Sequence, residues 1–141
     1  MLATMRTLLL IGLMAFAIPA LALAAAEQPL SPSEFRNYAE GHTLYFDRDG
    51  EPFGSEAFEP GGQTLWRDMD GSCTEGVWRP HGGQVCFYYG DGAEVLCWRL
   101  IRDEQGLLVR LLGDGPEAGM ELRITGRDEQ QPICGEPGRG A

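Results

Sequence analysis

The chain contains no lysine; all eleven of its basic residues are arginine. Histidine is nearly as scarce, limited to His42 and His81, and His81 falls in a Pro-His-Gly-Gly turn. No C-x-x-C pair occurs, which argues against a zinc knuckle or a thioredoxin-type redox pair. Beyond the N-terminal apolar stretch the serines are Ser31, Ser33, Ser55 and Ser72, and none sits in the G-x-S-x-G elbow of a hydrolase nucleophile. No spacing singles out a carboxylate pair of the glycosidase kind. The inventory for catalysis is thin, and the chain reads as a non-enzyme with no cofactor and no resident metal.

Positive charge is in deficit too, with 11 basic residues against 21 acidic ones and a formal net charge of −10. Such a balance repels nucleic acid and anionic lipid alike, so neither is an expected partner. A partner steered by charge would be a basic protein; otherwise the acidity serves solubility.

Long apolar runs are missing everywhere except at the start. Arg6 precedes an unbroken apolar run from Leu8 to Ile18, followed by Pro19 and the small-residue stretch from Ala20. A basic start, a short greasy centre and an A-x-A site make a cleavable secretory signal over residues 1–24, with cleavage after Ala24 or Ala26. The run falls short of the roughly 20 residues that cross a bilayer as a helix. The first cysteine is Cys73, far from the cleavage region, so neither lipid attachment nor a membrane anchor is expected after processing. The expected location is periplasmic or secreted. Roughly 115 residues would remain, enough for one domain. A domain of that size gains from covalent staples.

In an oxidising compartment the four cysteines, Cys73, Cys86, Cys97 and Cys134, are disulfide candidates with three possible connectivities. Geometry favours one. QVCFYYG and EVLCWRL flank Asp91-Gly92, a dipeptide suited to a two-residue hairpin turn. Counting outward from that turn places Cys86 opposite Cys97, within bridging range. Cys73–Cys134 follows by elimination. Loops of these lengths contribute about 3–4 kcal/mol each in the chain-entropy view.

Ser31-Pro32-Ser33-Glu34 reads as a capping box that opens a short helix, with Phe35, Tyr38 and Ala39 on one face and Gly41 as its stop. After Gly41 come eight short strands: His42–Phe46, Phe53–Phe58, Gln63–Arg67, Thr74–Arg79, Gln84–Tyr89, Val95–Arg102, Leu107–Leu112 and Met120–Thr125. Turn signals such as Asp49-Gly50, Pro60-Gly61-Gly62, Asp70-Gly71 and Gln105-Gly106 separate them. The expected fold is therefore all-β, an antiparallel meander of about eight short strands forming a small barrel or sandwich. It carries one short N-terminal helix and disulfide staples. Segment 27–41 would hold the helix, 42–134 the β domain and 135–141 an irregular tail.

The hairpin register puts Val85, Phe87 and Tyr89 on one face with Leu96, Trp98 and Leu100. A turn at His81-Gly82 would set Trp78 opposite Val85. Met120, Leu122 and Ile124 alternate with polar neighbours, and these rows form the expected core. Asp47-Arg48-Asp49-Gly50-Glu51 and Asp68-Met69-Asp70-Gly71 hint at calcium. Both lack the ligand count of a calcium loop and read as turns.

From Gly41 to Trp98 the chain resembles small exported bacterial proteins of a domain-of-unknown-function family. The motifs that carry the resemblance are G-x-T-L at Gly41–Leu44, G-x-x-x-G-x-E from Gly50, a tryptophan at Trp66, and C-x-x-G-x-W at Cys73–Trp78. V-C-F-x-Y at Val85–Tyr89 and C-W at Cys97-Trp98 complete the pattern. The resemblance implies no activity. A more distant likeness to lipocalin-type small barrels is one of fold alone.

Trp66, Trp78, Phe87, Tyr89 and Trp98 are the candidate ligand-binding residues, since such aromatics either fill a small barrel or line one able to hold a small apolar ligand. The functional expectation is an exported non-enzymatic binding or accessory module of the bacterial envelope. Its alternatives are an inhibitor of a cationic hydrolase, such as lysozyme or a protease, and a carrier of a small apolar ligand.

Overall fold

The computed structural model describes residues 26–90, 92 and 94–135. The expected signal segment 1–24 lies outside them, as do Asp91 of the expected hairpin turn and all of the expected tail 135–141 except Gly135.

Among the described residues the elements are β1 (Gln28–Pro29), α1 (Pro32–Ala39), β2 (His42–Arg48), β3 (Glu51–Phe58), β4 (Gln63–Asp68) and β5 (Cys73–His81). They continue as β6 (Gln84–Tyr89), β7 (Leu96–Asp103), β8 (Gly106–Leu111) and β9 (Glu121–Asp128). From β2 to β9 each strand pairs antiparallel with the next, and β9 pairs back onto β2. The result is a closed eight-stranded barrel, which settles the choice between barrel and sandwich.

All eight strands expected from the turn signals are present, with ends shifted by no more than three residues. β1 was not foreseen. It occupies the stretch of β7 beyond the reach of β6, pairing Gln28 with Arg102 and Pro29 with Ile101. One register differs from expectation. His81 faces Gln84 across the β5–β6 turn, so Trp78 pairs with Phe87 rather than with Val85. The two-residue offset keeps Trp78 on the inward face.

Helix α1 begins as its sequence dictates. Ser31 Oγ accepts from the Glu34 amide at 3.2 Å, and Glu34 Oε2 accepts from the Ser31 amide at 2.9 Å. It ends at Gly41, whose φ of 81° suits glycine and whose amide donates to the Phe58 carbonyl. Two turns of helix are not stable alone. Here Phe35 enters the barrel edge-on against Phe58 at 5.4 Å and Trp78 at 5.7 Å, and closes that end. The β2–β3, β4–β5 and β6–β7 turns and the β8–β9 connection gather at the opposite end.

Both disulfides join the expected partners, Cys86 with Cys97 and Cys73 with Cys134. The first bridges facing residues of β6 and β7 on the sheet face turned away from the barrel interior, where Cys86 is buried. The second anchors the C-terminal segment, which runs across the outside of β2 to β5. Thr43 Oγ1 donates to the Gln130 carbonyl at 2.6 Å, Arg67 Nε to the Ile133 carbonyl at 2.8 Å, and the Gly135 amide to the Gly71 carbonyl at 2.8 Å. Thr43, Ser55 and Ala57 point away from the barrel interior yet are buried, and Thr43 is tied to this strap. No helix among the described residues is long and apolar enough to cross a membrane.

A candidate ligand cavity inside the barrel

Strand alternation sends Leu44, Phe46, Phe58, Val85, Phe87, Trp98, Leu100, Val109 and Leu122 inward. These side chains do not fill the barrel. A cavity of about 360 Å³ remains, with Phe35 at its helix end and the exposed Asp68, Thr74 and Glu117 at the other, where it opens.

Two glycines explain why side chains leave the centre unfilled. Gly54 on β3 lies under the indole of Trp66, where a Cβ would overlap the ring. Gly76 on β5 lies under Tyr89, where a Cβ would stand 2.6 Å from the ring. With no side chain beneath them, the two rings lie back against the wall instead of projecting across the lumen. Phe46 and Phe53 flank Trp66 at 5.8 and 6.0 Å, and Phe87 stacks parallel to Tyr89 at 6.0 Å. Aromatic pairs at such spacings hold one another in place.

The polar element of the wall is Glu56. It sits between Gly54 and Phe58 in β3, in the phase that points inward, and is 3% exposed. Tyr89 Oη donates to its Oε1 at 2.6 Å. Burial drives its carboxyl up to about 7. The Tyr89 bond pulls it back part of the way, as does the nearby buried Thr64 hydroxyl, which lies outside strict hydrogen-bonding geometry. Tyr89 is pushed up in turn, first by its own burial and then by the Glu56 charge. Near the mouth, Asp68 Oδ1 accepts from Trp66 Nε1 at 2.8 Å. Glu117, on the β8–β9 connection, pairs with Arg48 at 3.6 Å.

Of the five candidate residues, Trp66, Phe87, Tyr89 and Trp98 line this cavity together. Trp78 does not. It is 1% exposed, packed against Phe35, with the Arg36 guanidinium 4.4 Å above its ring. It belongs to the plug at the helix end. Sequence reasoning missed Glu56, Phe46 and Phe53 as wall residues, while Met120, expected in the core, lines the cavity. Period-two alternation in Gly54-Ser55-Glu56-Ala57-Phe58 was the available signal, because it puts Glu56 on the face of Phe58.

The two acidic segments that hinted at calcium are hairpin turns. Asp49 and Gly50 take positive φ between β2 and β3. In the β4–β5 turn the Gly71 amide donates to the Asp68 carbonyl, and Asp70 Oδ1 accepts from the Ser72 amide. His42 Nδ1 lies 3.0 Å from the Glu40 carbonyl, and His81 is exposed at the end of β5. Among known proteins, no family model, no curated protein and no solved structure matches this chain.

Proposed function

We propose that the chain is an exported, periplasmic or secreted, non-enzymatic binding protein whose barrel holds one small, largely apolar ligand. The observation that carries this reading is the cavity lined by aromatic side chains inside the barrel. Its volume of about 360 Å³ lies within the range of small-molecule sites, and its lining is mainly aromatic and aliphatic with few polar groups. An eight-stranded barrel is just wide enough for one such guest. The distribution of polarity supports a carrier over a lipid-spanning barrel. Here the interior is apolar, while outward positions of the strands carry Arg67, Glu75, Arg79, Arg99 and Glu121. The two disulfides suit an oxidising compartment outside the cytosol.

Trp66 and Trp98 are built-in reporters. Small aromatic and alkyl compounds are expected to change the tryptophan emission saturably, with one-to-one stoichiometry by calorimetry. Trp66→Ala is expected to weaken that binding at least ten-fold. Absence of any saturable response across a broad apolar library would overturn the reading.

A further inference from the structure

The chemistry of the cavity wall is one-sided in charge. Three charged residues line it, Glu56, Asp68 and Glu117, and all three are carboxylates. At the mouth Arg48 is engaged by Glu117 and lies 6.0 Å from the Phe53 ring. Among the described residues no arginine and no histidine lines the cavity. A carboxylate ligand would therefore meet only like charge, and the anionic head of a fatty acid has no counterion here.

Glu56 is the deepest of the three. A carboxylate accepts several hydrogen bonds, yet Glu56 takes one within strict geometry, from Tyr89 at Oε1. Around it stand the rings of Trp66, its cross-strand neighbour, and of Tyr89 with the stacked Phe87. Aromatic faces next to a buried carboxylate are the surroundings that favour ammonium groups, through ring quadrupole and ion pairing together.

Resting on the ligand-binding reading above, we propose that the cavity selects an organic cation, a protonated or quaternary amine on an apolar body, with Glu56 as the anchor of the charge. Asp68 and Glu117 at the mouth draw such a cation inward. The apolar body occupies the space bounded by Trp98, Leu100 and Val109.

The test uses the disulfide-bonded protein and three probes with one body, 3-phenylpropylamine, 3-phenylpropanol and 3-phenylpropionate, titrated by calorimetry at pH 8. The amine is expected to bind at least ten-fold tighter than the alcohol, and the carboxylate more weakly than either. Glu56→Gln, which keeps an acceptor for the Tyr89 hydroxyl, is expected to abolish the amine's advantage and leave the alcohol within two-fold. Asp68→Asn is expected to reduce that advantage by no more than about three-fold.

A readout on the unaltered protein does not depend on the variant folding. The ionisable and charged groups that face Glu56 or its approach are Tyr89 from β6, Asp68 from β4, and Glu117 with its partner Arg48 at the mouth. Leu44 and Phe46 of β2 and Thr74 of β5 bring no charge. Glu56 must be ionised to hold an ammonium, so the amine's advantage is expected to shrink about ten-fold per pH unit below about 7. Equal affinity for amine and alcohol at pH 8, or an advantage that persists unchanged to pH 5, would overturn the cation proposal while leaving a ligand cavity intact. Failure of all three probes to bind would likewise overturn the cation proposal, while the ligand-binding reading stands or falls on the titration of the apolar library.

Discussion

Glu56 places an ionisable group in a wall that has little water to offer it, and the consequence for stability has a definite sign. Its carboxyl is raised from about 4.5 in the unfolded chain to about 7 in the barrel. The folded state therefore binds this proton more tightly. Its stabilising contribution is complete below pH 4.5 and is lost as pH rises through 7. Above that window the cost is about 3 kcal/mol, taking 1.36 kcal/mol per unit. Glu56→Gln is expected to have a higher thermal midpoint than the unaltered protein at pH 8, and to lose that lead by pH 4.5. Parallel melting curves of the two proteins across this range check it. Asp103, held below the usual carboxylate range chiefly by its hydrogen bond from Arg123, works in the opposite sense at lower pH. It is common to both proteins and cancels in the difference. At the same scale, Gly76→Ala drives a methyl group into the Tyr89 ring. The expected cost is about 1–3 kcal/mol, as for other overpacked sites, with the ring displaced into the lumen. Denaturant titration measures the first effect, and loss of ligand capacity reports the second.

Among the elements, α1 was the most legible in sequence. Ser31, Pro32 and Glu34 state where it starts and Gly41 where it stops, because caps are local chemistry. The β6–β7 register was legible for the same reason, and Cys86 does face Cys97. The C-terminal strap was legible only as the cysteine left over. Its hydrogen bonds to Thr43 and Arg67 join residues 87 and 66 positions apart, and no local pattern encodes such meetings. The Cys73–Cys134 bridge closes a loop with a sequence separation of 61, for which chain entropy gives about 4 kcal/mol. The double variant Cys73→Ser, Cys134→Ser is expected to lose stability of that order. It should also lose hydrogen-exchange protection at Gly135 before the barrel strands open. Uniform loss of protection across all strands would contradict a peripheral strap.

For the whole molecule, alternation and turn chemistry were enough to find eight strands. They did not reveal whether the sheet closes, because closure depends on β2 meeting β9 across most of the chain. Nor did they reveal the cavity. Five aromatic candidates look alike in sequence whether they fill a lumen or line one. The difference lies in Gly54 and Gly76, which decide how far Trp66 and Tyr89 lean outward. Trp78 illustrates the converse: its pairing with Phe87 puts it within reach of Phe35, and it becomes part of the stopper.

The seam between β2 and β9 sets the order of events during biogenesis. Tyr45 bonds to Asp128, 83 residues downstream, so the ring cannot be completed until β9 is available to pair with β2. Until then the growing sheet presents two raw margins of unpaired amides and carbonyls, open to neighbouring chains. Maturation is thus a late, single commitment, and a product cut short before Glu121 is left with a margin available for self-association.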